Sequence, residues 1–204
     1  MTLTSLNFLE RYWLDIALNS TTSIIYVAPA FAALAAWDAS RWRVLSIVPV
    51  RGALGLLIRH LAWAATATTI IFGVSYLVLL AEVGTPVGVP TLWGVAMGIF
   101  ATTGYVALGF TFGWLLPRLV AVPLAFAVTW FWIAYTPAVY PFWLRNATGN
   151  LGGSCCSLNQ ELLPTGLWAP VIVTGALMLG TRIILVATEA RTALFVGACL
   201  TSVV

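Results

Sequence analysis

Five long runs of residues without a single charge constrain this chain more than any other feature of its sequence. The runs cover residues 16–37, 61–81, 92–116, 119–140 and 162–181. As a helix rising about 1.5 Å per residue, each run is long enough to cross about 30 Å of hydrocarbon. Lipid cannot satisfy the backbone hydrogen bonds of an open segment, so helices are the form in which these runs can cross. The sequence predicts one all-α domain, a polytopic helical membrane protein with five full transmembrane helices.

The composition excludes the main alternatives to this fold class. Of the 204 residues, 61% are hydrophobic and 7% are charged, whereas a soluble domain carries about 25% charged residues. This excludes a soluble globular enzyme. The strands of a porin-type barrel alternate apolar and polar residues, and these runs do not. The net charge of +3 comes without a basic stripe, so no nucleic-acid partner is expected.

The two ends of the chain do not have the pattern of a full span. Residues 1–15 mix apolar and charged side chains, which is typical of an amphipathic helix lying at the membrane interface. Residues 192–204 are apolar but would reach only about 20 Å as a helix. We expect them to form a short or partial sixth helix.

The arginines set the predicted orientation, because cytoplasmic loops are enriched in basic residues. Seven of the nine fall into alternate loops: Arg41, Arg43, Arg51, Arg59, Arg118, Arg182 and Arg191. If these loops are cytoplasmic, only Arg11 and Arg145 lie outside and the N terminus is outside as well. All basic residues are Arg and Ala is abundant, a composition that suggests a bacterial protein. The predicted location is the bacterial cytoplasmic membrane.

Residues 38–60 form the longest predicted cytoplasmic segment, and they are amphipathic. Arginines alternate there with Val, Leu and Ile side chains. Such a segment can lie along the membrane surface and present a face to a cytosolic partner. It can equally anchor the chain by binding anionic lipid headgroups. The residues alone leave both interpretations open.

Small residues are spaced for helix packing in the third run. Gly94 and Gly98 form one GxxxG pattern, and Gly109 and Gly113 form another. Such patterns let two helices approach closely. They are compatible with packing inside the chain or with a dimer interface.

The sequence offers little covalent or acid–base chemistry. No charged residue lies within the runs, which argues against a proton relay, an ion pump or an intramembrane protease. With one His and no CxxC motif, a metal site built by this chain alone is not expected. Cys155 and Cys156 fall in the predicted outer loop. They could form a strained vicinal disulfide, pair with a partner chain or stay free.

Three stretches resemble the permease subunits of type-2 ATP-binding-cassette (ABC) exporters of actinobacterial type. Residues 28–43 read APAFAALAAWDASRWR, like a small-residue helix that runs into a basic cytoplasmic loop in those proteins. Residues 109–126, GFTFGWLLPRLVAVPLAF, resemble their tight Pro-Arg hairpin. Residues 143–158, WLRNATGNLGGSCCSL, resemble their outer loop with adjacent cysteines.

The resemblance implies a transmembrane permease subunit of an ATP-driven exporter with an unknown substrate, and an apolar path between its spans would suit an amphipathic or lipid-like one. Residues 38–60 would couple to an ATPase subunit through Asp38, Arg41, Arg43, Arg51 and Arg59. ATP and Mg²⁺ would bind to that cytosolic partner, because this chain has no GxxxxGK[ST] phosphate loop and needs no cofactor of its own. A second permease chain, identical or different, would complete the transporter. The expected substrate path would carry the hydrogen-bonding groups Thr102, Thr103, Tyr105, Thr111, Thr129 and Tyr135.

Two other functions remain open on the sequence. The first is a non-transporting subunit that assembles or stabilises a membrane complex, which the lack of polar groups within the runs favours. The second is a membrane thiol oxidoreductase that uses Cys155 and Cys156.

Overall fold

The protein is a helical bundle. The structure, a computed structural model, describes residues 13–44, 50–86, 90–138, 147–150 and 164–201. In this part of the chain there are six α-helices and no strand, so the all-α prediction is confirmed. The helices are α1 (Trp13–Ser20), α2 (Ile24–Val44), α3 (Val50–Val83), α4 (Trp93–Leu115), α5 (Arg118–Tyr135) and α6 (Pro164–Thr201). A short 3₁₀ turn, Thr136–Ala138, follows α5.

Five stretches are long and apolar enough to cross a membrane. They are Asp15–Trp42, Ala53–Val83, Trp93–Leu115, Arg118–Tyr135 and Trp168–Thr188. This number agrees with the five uncharged runs. The third stretch matches its predicted bounds to within one residue at each end. The fourth is shorter than predicted, because its helix stops at Tyr135 and passes into the 3₁₀ turn.

The first span is broken, which corrects the prediction of one helix over residues 16–37. Helix α1 ends at Ser20, and a turn over residues 21–23 separates it from α2. The hydroxyls of Ser20 and Thr21 donate to the carbonyls of Ala17 and Leu18. Side chains of this kind compete with regular helix hydrogen bonding, and four Ser and Thr residues follow one another here. Of the predicted interfacial helix at residues 1–15, residues 1–12 lie outside the described part of the chain.

Residues 38–60 do not form the separate surface segment that we expected. Helix α2 continues to Val44 and α3 begins at Val50, so the segment is divided between two helix ends. Ala, Leu and Arg are strong helix formers, and they dominate both ends. Helix α3 has 34 residues, or about 51 Å, and extends beyond the predicted span over residues 61–81.

Helix α6 also exceeds its predicted length. It has 38 residues, about 57 Å, where a span over residues 162–181 was expected. Residues 192–201 continue α6 without a break. In the described part of the chain there is therefore no separate sixth helix of the kind predicted at residues 192–204.

Helix α4 is the centre of the bundle. It packs against α2, α3, α5 and α6, and its first half also contacts α1. Most of its side chains are buried, including Tyr105, Val106 and Phe110. The other long helices each expose one side, with side chains such as Ile70 of α3 and Ile172 of α6. The chain crosses back and forth, so α2, α4 and α6 run in the same direction. We name the two ends of the bundle after residues found there, the Trp93 end and the Asp38 end.

Helices α1 and α2 pack against α4 through its glycines. Methyl carbons built on Gly109 and Gly113 would collide with the carbonyl oxygens of Ala32 and Ala36. One built on Gly98 would lie 2.8 Å from a Phe72 ring carbon, and one on Gly94 would lie 3.2 Å from the carbonyl oxygen of Ala17. The four glycines of the two GxxxG patterns thus lie at contacts within this chain.

Helix α6 packs against α4 through hydroxyl groups. The side-chain oxygens of Thr111 and Thr181 lie 2.8 Å apart, and Thr181 also donates to the carbonyl of Ala107 at 3.1 Å. Nearer the Asp38 end, the indole of Trp114 donates to the hydroxyl of Thr188 at 3.1 Å. These bonds fix α6 on the opposite side of α4 from α2.

Candidate functional site

A large groove lies between α5 and α6. The two helices pack on α4 but make no contact with each other in the described residues, which leaves a cavity of about 710 Å³ open to the side of the bundle. Its walls are almost wholly apolar. The lining residues are Tyr105, Leu108, Ala127, Val128, Thr129, Phe131, Trp132, Tyr135, Thr136, Val173 and Leu177.

The α5–α6 groove contains few polar groups, and most of them are already bonded. The Tyr105 hydroxyl donates to the carbonyl of Thr148 at 2.8 Å, and the Thr136 hydroxyl donates to the carbonyl of Trp132. The fully buried Thr129 hydroxyl has no hydrogen-bond partner among the described residues. Among the lining residues that carry a hydroxyl, Tyr135 is the exposed one, at 65%.

The groove holds three of the six residues predicted to line a substrate path: Tyr105, Thr129 and Tyr135. Thr102 and Thr103 instead bond to backbone carbonyls of their own helix, and Thr111 bonds to Thr181. These three do not line the groove, because α4 is so central that hydroxyls on most of its faces meet protein. Thr136 lines the groove but was not among the predicted residues.

A short non-helical segment, residues 147–150, reaches into the bundle. Ala147, Thr148 and Gly149 are buried. Gly149 has a φ of +72° and packs so closely on Ala101 that a side chain would collide with it. Ala101 lies about 12 Å along α4 from Trp93. Non-helical backbone at such a depth is tolerated where protein surrounds it, and the Tyr105 bond to Thr148 satisfies part of it.

A second cavity, of about 390 Å³, lies between α2 and α3 toward the Asp38 end. These two helices contact each other at few positions, and Val106 of α4 forms the floor. The lining residues are Phe31, Leu34, Ala35, Asp38, Arg59, His60, Trp63, Ala64, Ala67 and Val106. The charged and polar groups all lie at one end of this α2–α3 cavity.

Asp38 and His60 face each other across the mouth of this cavity. Nε2 of His60 lies 3.5 Å from Oδ2 of Asp38. The imidazole also lies against the Phe110 ring, with 6.2 Å between ring centroids. In the sequence, this single His was considered only as a possible metal ligand. A sequence signal could have revealed this proximity. Asp38 precedes the connection between α2 and α3, and the only His of the chain follows it.

The predicted coupling residues have different surroundings. Asp38 and Arg59 line the α2–α3 cavity, and Arg41 is exposed at the end of α2. The side chains of Arg43 and Arg51 lie outside the described part of the structure. Beside this group, the guanidinium carbon of Arg118 lies 2.8 Å from the centre of the Trp37 ring, a cation–π contact that joins α2 to α5.

Asp15 is a buried charged residue that the sequence interpretation placed in the interfacial helix. It is 2% exposed, and Nδ2 of Asn19 donates to its Oδ1 at 2.8 Å. The reason for this burial is that α1 packs against α3 and α4, with Trp13 stacked on Tyr76 at 6.4 Å between ring centroids. Spacing of four residues between an Asp and an Asn is the local signal for such a pair.

Cys155 and Cys156 lie outside the described residues. In the part of the chain that is described, no three His, Cys, Asp or Glu side chains come together as a metal-binding group. No family model, curated protein or solved structure matches this chain. The two cavities are therefore the features from which a function has to be inferred.

Proposed function

We propose that the chain is the transmembrane permease subunit of an ATP-driven ABC exporter that moves a lipid-like, amphipathic substrate. A cytosolic ATPase subunit would hydrolyse ATP, and two permease chains would change between inward-open and outward-open states. The observation that carries the proposal is the α5–α6 groove, because it is open to the side at the depth of the spans. The resemblance of residues 28–43, 109–126 and 143–158 to such permeases supports the same function.

The chemistry of the groove favours a substrate that is mainly hydrocarbon. Contact with its apolar walls does not desolvate polar groups, so a molecule arriving from the bilayer could enter from the side. The hydroxyl of the exposed Tyr135 would offer a hydrogen bond that orients a polar group of the substrate. Ions and sugars would find no charged partner among the lining residues.

The exposed arginine at the end of α2 supports a partner at the Asp38 end. Arg41 does not line the α2–α3 cavity. Arg43 and Arg51 belong to the same predicted cytoplasmic segment as Arg41. Guanidinium groups suit docking on carboxylates of another subunit. Movement of that subunit would then pull directly on α2 and α3, because the described residues of the segment, 38–44 and 50–60, belong to the ends of these two helices.

The first experiment isolates the tagged full chain from its native membrane in a mild detergent. We expect a nucleotide-binding subunit to co-purify. Arg41→Ala, Arg43→Ala and Arg51→Ala together should leave ATPase activity in the complex but abolish its stimulation by an amphipathic substrate. Absence of a nucleotide-binding partner would refute the exporter. Loss of assembly alone would favour the structural subunit.

The groove is tested with a matched pair of variants on α6. Val173 lines the groove, whereas its neighbour Ile172 is 68% exposed on another side of the helix. We expect Val173→Phe to reduce substrate-stimulated ATPase activity at least severalfold, since the larger ring occupies the groove. Ile172→Phe should leave it unchanged. Equal activity of the two variants would show that the substrate does not use this groove.

A further inference from the structure

We propose that the α2–α3 cavity binds one phospholipid with a zwitterionic aminophosphate headgroup, from the leaflet at the Asp38 end. The proposal goes beyond the transport function, since it concerns a resident lipid; of the residues that the resemblance assigns to ATPase coupling, it uses Asp38 and Arg59. Three properties of the cavity carry it: its direction in the bundle, its opening to the side and the charges at its mouth.

The cavity runs from the end of the bundle toward its middle. On α2 it extends from Asp38 back to Phe31, and on α3 from Arg59 forward to Ala67. Either path is about 10–12 Å at about 1.5 Å per residue. Half of a hydrocarbon core is about 15 Å thick. The cavity is thus somewhat shorter than one leaflet is thick, and a lipid bound in it would have its headgroup at the polar end and its acyl chain toward the apolar end.

The cavity is open to the side on which lipid lies. Leu34 and Trp63 line it and are 60% and 71% exposed, so they form lips rather than a closed wall. Ala35, Ala64 and Val106 are buried and form the inner surface. An acyl chain can enter sideways between the lips, and a long narrow hydrocarbon fits small side chains of this kind better than a compact soluble ligand does.

The charges at the mouth are of both signs. Asp38 is 38% exposed and can accept hydrogen bonds from an ammonium group, while the exposed Arg59 can donate to a phosphate. Nε2 of His60 lies 3.5 Å from the Asp38 carboxylate, and the imidazole lies beside the Phe110 ring. The Trp63 ring beside them can contact a cation through its face. An aminophosphate headgroup satisfies both charged side chains, whereas an anionic headgroup leaves the carboxylate facing a like charge.

The test measures which lipid the full chain retains. The protein is placed in nanodiscs that contain equal amounts of phosphatidylethanolamine and phosphatidylglycerol. It is then released from the nanodiscs, and native mass spectrometry identifies the lipid that stays bound. We expect roughly tenfold more phosphatidylethanolamine than phosphatidylglycerol on the unmodified protein, the effect of one charge-assisted hydrogen bond. No preference, or a preference for phosphatidylglycerol, would overturn the proposal without any variant.

Variants then locate the bound lipid. Asp38→Asn should abolish the preference, and Arg59→Gln should lower total retention, while Arg182→Gln on the exposed side of α6 changes neither.

Ala67→Phe should displace the lipid by filling the cavity, and Ala62→Phe, on the exposed side of the same helix, should not. The helical circular-dichroism signal verifies folding of each variant. Unchanged retention by folded Ala67→Phe would show a lipid bound elsewhere. None of these readouts needs the ATPase partner, so they stand apart from the transport proposal.

Discussion

Helix α4 meets its two parallel neighbours through different chemistry. Toward α2, Gly109 and Gly113 present no side chain and bring backbone against backbone. Toward α6, Thr111 and Thr181 join the helices by hydrogen bonds. Lipid offers no hydrophobic driving force between helices, so association depends on close packing and on such bonds. One helix can therefore use close backbone packing on one face and side-chain hydrogen bonds on the opposite face. The two contacts should respond differently to substitution.

The largest effect is expected on the glycine side. Gly109→Leu would force a branched side chain into the carbonyl oxygen of Ala32 and separate α2 from α4. We expect a loss of at least about 3 kcal/mol in the free energy of unfolding, the upper range for overpacking. Unfolding in mixed detergent with increasing dodecyl sulfate, followed by circular dichroism, measures it.

The matched control is Gly55→Leu on α3. Nothing lies within 4 Å of a methyl carbon built at Gly55, so the same change meets open space. Its unfolding should stay within about 1 kcal/mol of the unmodified protein, in the direction of added stability. Similar losses for the two leucine variants would mean that the α2–α4 contact is not the reason for the glycine.

The threonine side should show a smaller, pairwise effect. Thr111→Val and Thr181→Val each remove one partner of the interhelical bond and keep the shape of the side chain. A double-mutant cycle should give a coupling of about 1 kcal/mol, within the range found for such bonds between membrane helices. A coupling near zero would show that the two hydroxyls bond independently to carbonyls of their own helices, Thr111 to that of Ala107 and Thr181 to that of Leu177.

The sequence predicted the spans and the glycine patterns because both are local features. A run of apolar residues is visible without knowing its neighbours, and the third run matched α4 almost residue for residue. The proximity of Asp38 to His60, the burial of Asp15 and the α5–α6 groove depend on which helices lie side by side. Hydropathy along the chain carries no such information. Residues 38–60 were expected to form a segment apart from the spans, but their described part continues α2 and α3, since good helix formers extend a helix as readily as they form a separate one.

The smallest expected effect concerns one contact between α4 and α6. Gly104 of α4 faces Thr174, whose side-chain atoms would lie 3.0 Å from an added methyl carbon, whereas Gly175, the next residue along α6, has nothing within 4 Å. Gly175→Ala should therefore stabilise the helix by about 0.5–1 kcal/mol, the cost of glycine in a helix interior. Gly104→Ala should destabilise the protein instead, because Thr174 is buried and has little room to move away. The same unfolding measurement decides the signs. A gain in both variants would mean that α6 can shift outward on α4, and that the threonine bonds, rather than close packing, hold the two helices together.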